Sequence, residues 1–147
     1  MNPRRNPARA RGFSLIEVLV SIVVLSIGLL GVAALQVSGL RVGQSSFYRA
    51  QAAQFATDMA DRLRANLGAA RTCALALTDP TPTSPTTTCG RDLAEWRTRL
   101  RTLRGGNGAV DVDLAQNLVT ITVRWDDSRG GGAADSTYSL VTRLWGN

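Results

Sequence analysis

A chain of 147 residues, 44% of them hydrophobic, has room for one domain and an accessory segment. Its formal net charge of +6 overstates its basicity, because four of its 17 basic residues fall in the first 12 and the other thirteen nearly balance 11 acids; general nucleic-acid binding loses most of its support. With no His the commonest general base is missing, and no serine sits in a nucleophile motif, so the composition speaks against an enzyme.

The opening stretch MNPRRNPARARG carries Arg4, Arg5, Arg9 and Arg11 and no acid. Phe13 to Leu35 follows, 23 residues that are almost wholly apolar. As a helix this run spans about 34 Å, enough for a hydrocarbon core of ~30 Å. It is too long for the apolar core of a cleavable secretory signal, and no small-residue cleavage site follows it. It reads as a retained single membrane span. The basic end is expected to stay cytoplasmic, which puts residues after about 40 across the membrane, in a bacterium in the periplasm. Glu17 is out of place here, since a carboxylate at membrane depth costs at least ~2.5 kcal/mol.

Past the span, Tyr48, Ala52, Phe55, Met59 and Leu63 recur at three or four residues while Arg49, Asp58, Asp61, Arg62 and Arg64 take other faces. That pattern predicts an amphipathic helix ending near Gly68. No proline interrupts residues 13–67, so one helix of about 82 Å is predicted, with Gly28, Gly31, Gly39 and Gly43 as its weak points. Cys73 and Cys89 then bracket ALALTDPTPTSPTTT. On an oxidising side a structural disulfide is expected, worth about 3 kcal/mol in the chain-entropy model. Free thiols or a metal site compete with it, but zinc lacks ligands in a chain with two Cys and no His.

In RDLAEWRTRLRTLR, Leu93, Trp96, Leu100 and Leu103 make one apolar helix face, with Asp92 and Glu95 at the start, Arg101 and Arg104 at the end, and Gly105-Gly106 as a stop. The period then falls to two. Val110, Val112 and Leu114 alternate with polar residues, as do Val119, Ile121, Val123 and Trp125, and STYSLVTRLW does likewise. The short linker AQN and the longer DDSRGGGAAD favour a three-stranded antiparallel meander, whose greasy face needs a cover. The outer half of the long helix is the expected cover. The fold class is therefore α+β: a long N-terminal helix with a protruding hydrophobic half, packed on a small antiparallel sheet, with a second short helix.

The stretch GFSLIEVLVSIVVLSIGLLG resembles the type III signal of type IV pilins and type II secretion pseudopilins: a short basic leader, a Gly before an aromatic residue, and a Glu five residues in. The remainder resembles the pilin plan of long helix, variable loop and antiparallel sheet. The resemblance implies three segments: a leader, residues 1–12; a membrane and assembly helix, 13–40; and a periplasmic globular domain, 41–147. It implies that a prepilin peptidase cuts between Gly12 and Phe13 and methylates the new amine of Phe13. Glu17 would then pair with the Phe13 amine of a neighbouring subunit, where an unpaired buried charge is prohibitive. The bland reading has Glu17 pairing with its own N-terminus near the membrane surface.

Within the family, SIGLLGVAALQ and VTITVRWDD are most similar to PilV-type minor pilins, with minor pseudopilins of the GspI type as the alternative. A PilV-like protein would join other minor pilins in the inner membrane, contact the major pilin, prime the fibre, and sit near a tip adhesin at the cell surface. A membrane-anchored binding module that never polymerises is the other class considered. The span lacks the proline of many major pilins, which leaves Gly28 and Gly31 as the place for any unwinding.

Three further features are weighed. Asp126, Asp127 and Asp135 flank a Gly-rich loop and could offer oxygen ligands to Ca²⁺, but they match no EF-hand spacing, and Asp and Gly are ordinary turn residues. No other metal and no cofactor is expected. Arg97, Arg101 and Arg104 share a helix face that a DNA-binding reading would need, yet no aromatic platform lies beside them; a solvated face is the expectation. Trp96, Trp125 and Trp145 are expected as core anchors, or as partner contacts if exposed.

Overall fold

The computed structural model describes residues 12–144. Its elements are α1 (Leu15–Ala65), α2 (Leu67–Ala70), α3 (Thr88–Leu100), β1 (Asn107–Asp113), β2 (Leu118–Trp125), a single 3-10 turn (Ser128–Gly130) and β3 (Ser136–Arg143). The fold is α+β and pilin-like. The chain divides into two compact units, residues 1–39 and 40–147. The leader arginines at positions 4, 5, 9 and 11, and Trp145, lie outside the described residues.

In the first unit the helix begins at a serine. The Ser14 carbonyl accepts from the backbone N–H of Glu17 at 3.0 Å and of Val18 at 3.2 Å, and its hydroxyl accepts from Ile16 N–H at 3.4 Å. These contacts take up donors that a helix start leaves open. Every large apolar side chain from Phe13 to Val37 is exposed. Ser21 and Ser26 turn their hydroxyls back to the carbonyls of Glu17 and Ile22, both at 2.7 Å. Such back-bonding lets a hydroxyl sit in an apolar medium without an orphaned donor. Gly28 and Gly31 are both helical, within an unbroken α1.

The second unit is built on a small-residue stripe of α1. Ala52, Ala56, Met59, Ala60 and Leu63 are buried, while Tyr48 and Phe55 are only partly so. Three alanines lie along the buried face, and the Phe55 carbonyl accepts from the Trp96 indole N–H of α3 at 2.9 Å. α1 ends at Ala65, a little before the expected Gly68, and the chain turns at Asn66 into α2.

Cys73 and Cys89 form the expected disulfide, with Cα atoms 5.7 Å apart. α3 begins three residues earlier than its charge pattern suggested, inside the Pro/Thr stretch, because Thr87 caps it: the Thr87 hydroxyl accepts from Gly90 N–H at 3.0 Å. It also ends earlier, at Leu100, with Arg101 as its C-cap, so Asp92 and Glu95 lie beyond the first turn and Arg104 beyond the helix. Their dipole role gives way to ion pairs.

The sheet is an antiparallel meander in the order β1-β2-β3, with Val110 opposite Ile121 and Ile121 opposite Leu140. Val119, Ile121, Val123 and Trp125 of β2 all point into the core. Leu114 does not continue the β1 alternation; it lies in the turn and is 54% exposed. The cause is Asp113, whose carboxylate accepts from Ala115 and Gln116 N–H at 2.9 and 3.0 Å and so starts the turn one residue sooner. Where β1 crosses α3 only glycine fits, since a Cβ on Gly108 would lie 2.3 Å from the Trp96 ring.

Candidate functional site

The sequence points to the start of α1, and the geometry there is simple. Gly12 and Phe13 precede the helix, and Ser14 opens it. Glu17 lies in the first turn, about one turn on from Phe13, so the two side chains fall on one side. They share a shallow groove of about 300 Å³ with Val18, Ser21, Ile22 and Leu25. All six residues are exposed, and the carboxylate has no ion-pair partner among the described residues. Phe13, Val18, Ile22 and Leu25 make the groove apolar around one acid. Such a surface pairs a cation with Glu17 well once water is displaced.

Residues 7–33 match the family model described as the prokaryotic N-terminal methylation motif. The match supports a type IV pilin-like or pseudopilin precursor, a structural rather than enzymatic kind of protein, and implies processing by a prepilin peptidase. α1 is long and apolar enough to cross a membrane, which is consistent with membrane anchoring. No curated protein and no solved structure matches the chain.

The other residues singled out in the sequence are scattered. Asp126, Asp127 and Asp135 do not converge, and among the described residues no group of three or more His, Cys, Asp or Glu could hold a metal ion. Asp126 pairs with Arg104 at 3.0 Å and accepts from Ser128 N–H at 3.0 Å; those Ser128 hydrogen bonds and then Arg104 hold its carboxyl below the usual range. Asp127 is 3% exposed and accepts from the Ser45 hydroxyl of α1 at 2.5 Å. Its backbone also braces the Gly-rich loop, accepting from Gly130 and Gly132 and donating to Ala133. Asp135 is exposed.

The expected arginine face of α3 is corrected. Arg97 is only 4% exposed; its guanidinium donates to the carbonyls of Ala76, Asp79 and Gly108. Burial lowers its pKa, offset in part by Asp79 nearby. Arg104 is taken up by Asp126, which leaves Arg101 alone of the three without a partner among the described residues. The signal was available: Arg97 lies one turn after Leu93 and one before Leu100, on the apolar side of the helix.

Trp96 and Trp125 are fully buried core anchors. On the outer surface Arg62 of α1 ties α1 to α3, reaching Asp58, Asp92 and Glu95 at 3.3, 3.4 and 3.1 Å, and Arg99 returns to Asp58 at 3.0 Å. The hydrogen bond and then the charge of Arg62 hold the Glu95 carboxyl below its usual value.

Proposed function

We propose that this chain is the precursor of a minor pilin. A prepilin peptidase cuts it between Gly12 and Phe13 and methylates the Phe13 amine. The mature subunit anchors in the bacterial inner membrane through residues 13–40, with residues 41–147 in the periplasm, and passes into a type IV pilus. There it joins other minor pilins and the major pilin, primes assembly near the fibre tip, and is of the PilV type. The observation that carries this reading is the methylation motif over residues 7–33, together with the large apolar side chains of α1 from Leu15 to Val37, all of them exposed.

The physical argument concerns Glu17. Cleavage would create a cation at Phe13, one turn from the carboxylate. In a bundle of such helices water is absent, and an unpaired carboxylate is strongly penalised. Pairing of Glu17 with the amine of a neighbouring subunit removes that penalty in only one register. A helix that merely anchored a domain would gain nothing from the acid.

The test is mass spectrometry of the N-terminal peptide from sheared surface fibres and from the envelope. A peptide beginning at methylated Phe13 in the fibres supports the minor-pilin reading. The same peptide confined to the envelope transfers the reading to a pseudopilin of type II secretion. An uncleaved leader leaves a simple membrane anchor and overturns the proposal.

A further inference from the structure

A groove of about 430 Å³ in the second unit lies between the loop after Cys73, the end of α3 and the first residues of β1. Arg97, Arg101 and Arg124 line it, with Asp79, Thr81 and Asn107 among the other walls. Three arginines thus line the groove against one carboxylate, and one oxygen of that carboxylate already accepts from the backbone N–H of Ala76 at 2.7 Å. The guanidinium groups of Arg101 and Arg124 have neither an ion pair nor a hydrogen bond among the described residues. Three like charges gathered around a single carboxylate repel each other, and a buried one is expensive to keep.

We propose that this groove binds a compact anion, one that carries two or more phosphate or carboxylate groups. The three arginines divide the work. Arg97 is fixed by the carbonyls of Ala76, Asp79 and Gly108, which use all but one of its N–H donors. It supplies a rigid positive charge at the floor and little direct bonding. Arg101 and Arg124 keep their planar forks free, which is the geometry that grips a carboxylate or phosphate through paired N–H···O bonds. The Thr81 hydroxyl adds a group that can donate or accept. Asn107 is a wall rather than a ligand, because its amide already donates to the Leu77 carbonyl at 2.8 Å.

Size and placement favour a small ligand over a nucleic acid. A duplex is gripped by a stripe of arginines on successive phosphates. That stripe is broken here, with Arg97 inside and Arg104 paired to Asp126. The volume lies at the small end of the range for ligand pockets. The disulfide Cys73–Cys89 closes the loop that forms one wall, so the groove is held by a covalent staple. The inference does not depend on the assembly reading of α1.

The test is calorimetric titration of the full chain in neutral detergent with sodium pyrophosphate and, separately, with sodium citrate. Binding of either with a Kd below about 1 mM is expected. Arg101→Gln and Arg124→Gln should each weaken it about tenfold with an unchanged melting temperature, since both side chains lack partners. Arg143→Gln, an exposed arginine away from the groove, should leave it unchanged. Failure of both anions to bind the folded chain overturns the proposal. So does equal weakening by Arg143→Gln, which would reduce the effect to net charge. Tighter binding of duplex DNA, lost with the same two substitutions, replaces a small-ligand site by a polymer surface.

Discussion

Trp96 and Trp125 are both fully buried, yet their indole N–H groups fare differently. Trp96 donates to the Phe55 carbonyl, tying α3 to α1, whereas Trp125 finds no acceptor among the described residues. A buried donor without a partner carries its desolvation cost with no return. Trp96→Phe should therefore cost about 2 kcal/mol, the lost bond adding to a small cavity. Trp125→Phe removes an orphan along with the volume and should cost less than about 1 kcal/mol. Urea denaturation of the two variants decides it, and equal losses would mean that the Trp96 bond contributes nothing net. Arg97 is the polar counterpart. Its removal would orphan the carbonyls of Asp79 and Gly108 and leave Ala76 with the Asp79 N–H alone, so Arg97→Met, though close in length and fully apolar, should destabilise by about 3 kcal/mol. A midpoint shift in urea as small as that of a surface substitution would refute the role given to it.

At the scale of elements, α3 is held at both ends of its surface by different means. Its first turn carries Cys89, so reducing the disulfide frees both the loop from Cys73 and the capped start of the helix. Reduction should cost about 3 kcal/mol for a loop of 16 residues. The melting temperature with and without a thiol reductant measures it, and a shift near zero would show the loop to be held by its other contacts. Further along, α3 meets α1 through Arg62, Glu95, Asp58 and Arg99. Glu95 and Asp126 both have folded pKa values below the ordinary ones, so their folded forms stay ionised at lower pH than the unfolded chain does. Their stabilisation is present above roughly pH 4–5 and is lost as pH falls through the folded values. Glu95→Gln should flatten that decline, and added salt should weaken it because Glu95 is exposed and Asp126 only partly buried. The regular elements were legible because their signals are periodic: the α1 stripe, the α3 face and the β2 alternation each repeat several times. Leu114 was misplaced because a single side chain, Asp113, ends the strand, and one aspartate carries no period. The capped start of α3 was hidden for a similar reason, since Thr87 sits in a run of threonines where composition says loop. The contact between Ser45 and Asp127 joins positions far apart in the chain and left no trace in either neighbourhood. At the candidate site the opposite held: Gly12, Phe13 and Glu17 are neighbours, and short spacing is what a sequence displays.

For the whole molecule, the division at residues 39 and 40 separates two kinds of stability. In the first unit no described residue is buried, so its helix draws on backbone hydrogen bonds and on whatever apolar medium surrounds it. Side chains such as Leu15, Leu30 and Leu35, each more than two thirds exposed, form an apolar surface too large for a soluble monomer to carry in water. Among the described residues the second unit holds all the buried ones, including the stripe from Ala52 to Leu63, and it carries the disulfide and the meander. It should therefore fold without the first. Residues 40–147, exported to an oxidising compartment, are expected to be soluble without detergent, and to keep the urea midpoint of the full chain within about 0.5 kcal/mol. The full chain should need detergent or lipid throughout. A truncated chain that bound hydrophobic dyes and lost its near-ultraviolet signal would show that residues before 40 complete the core, and the two units would then have to be treated as one. The expected result instead makes the apolar helix a part whose side chains are left uncovered by its own fold, which is the condition for burying them in lipid and then against other subunits in turn.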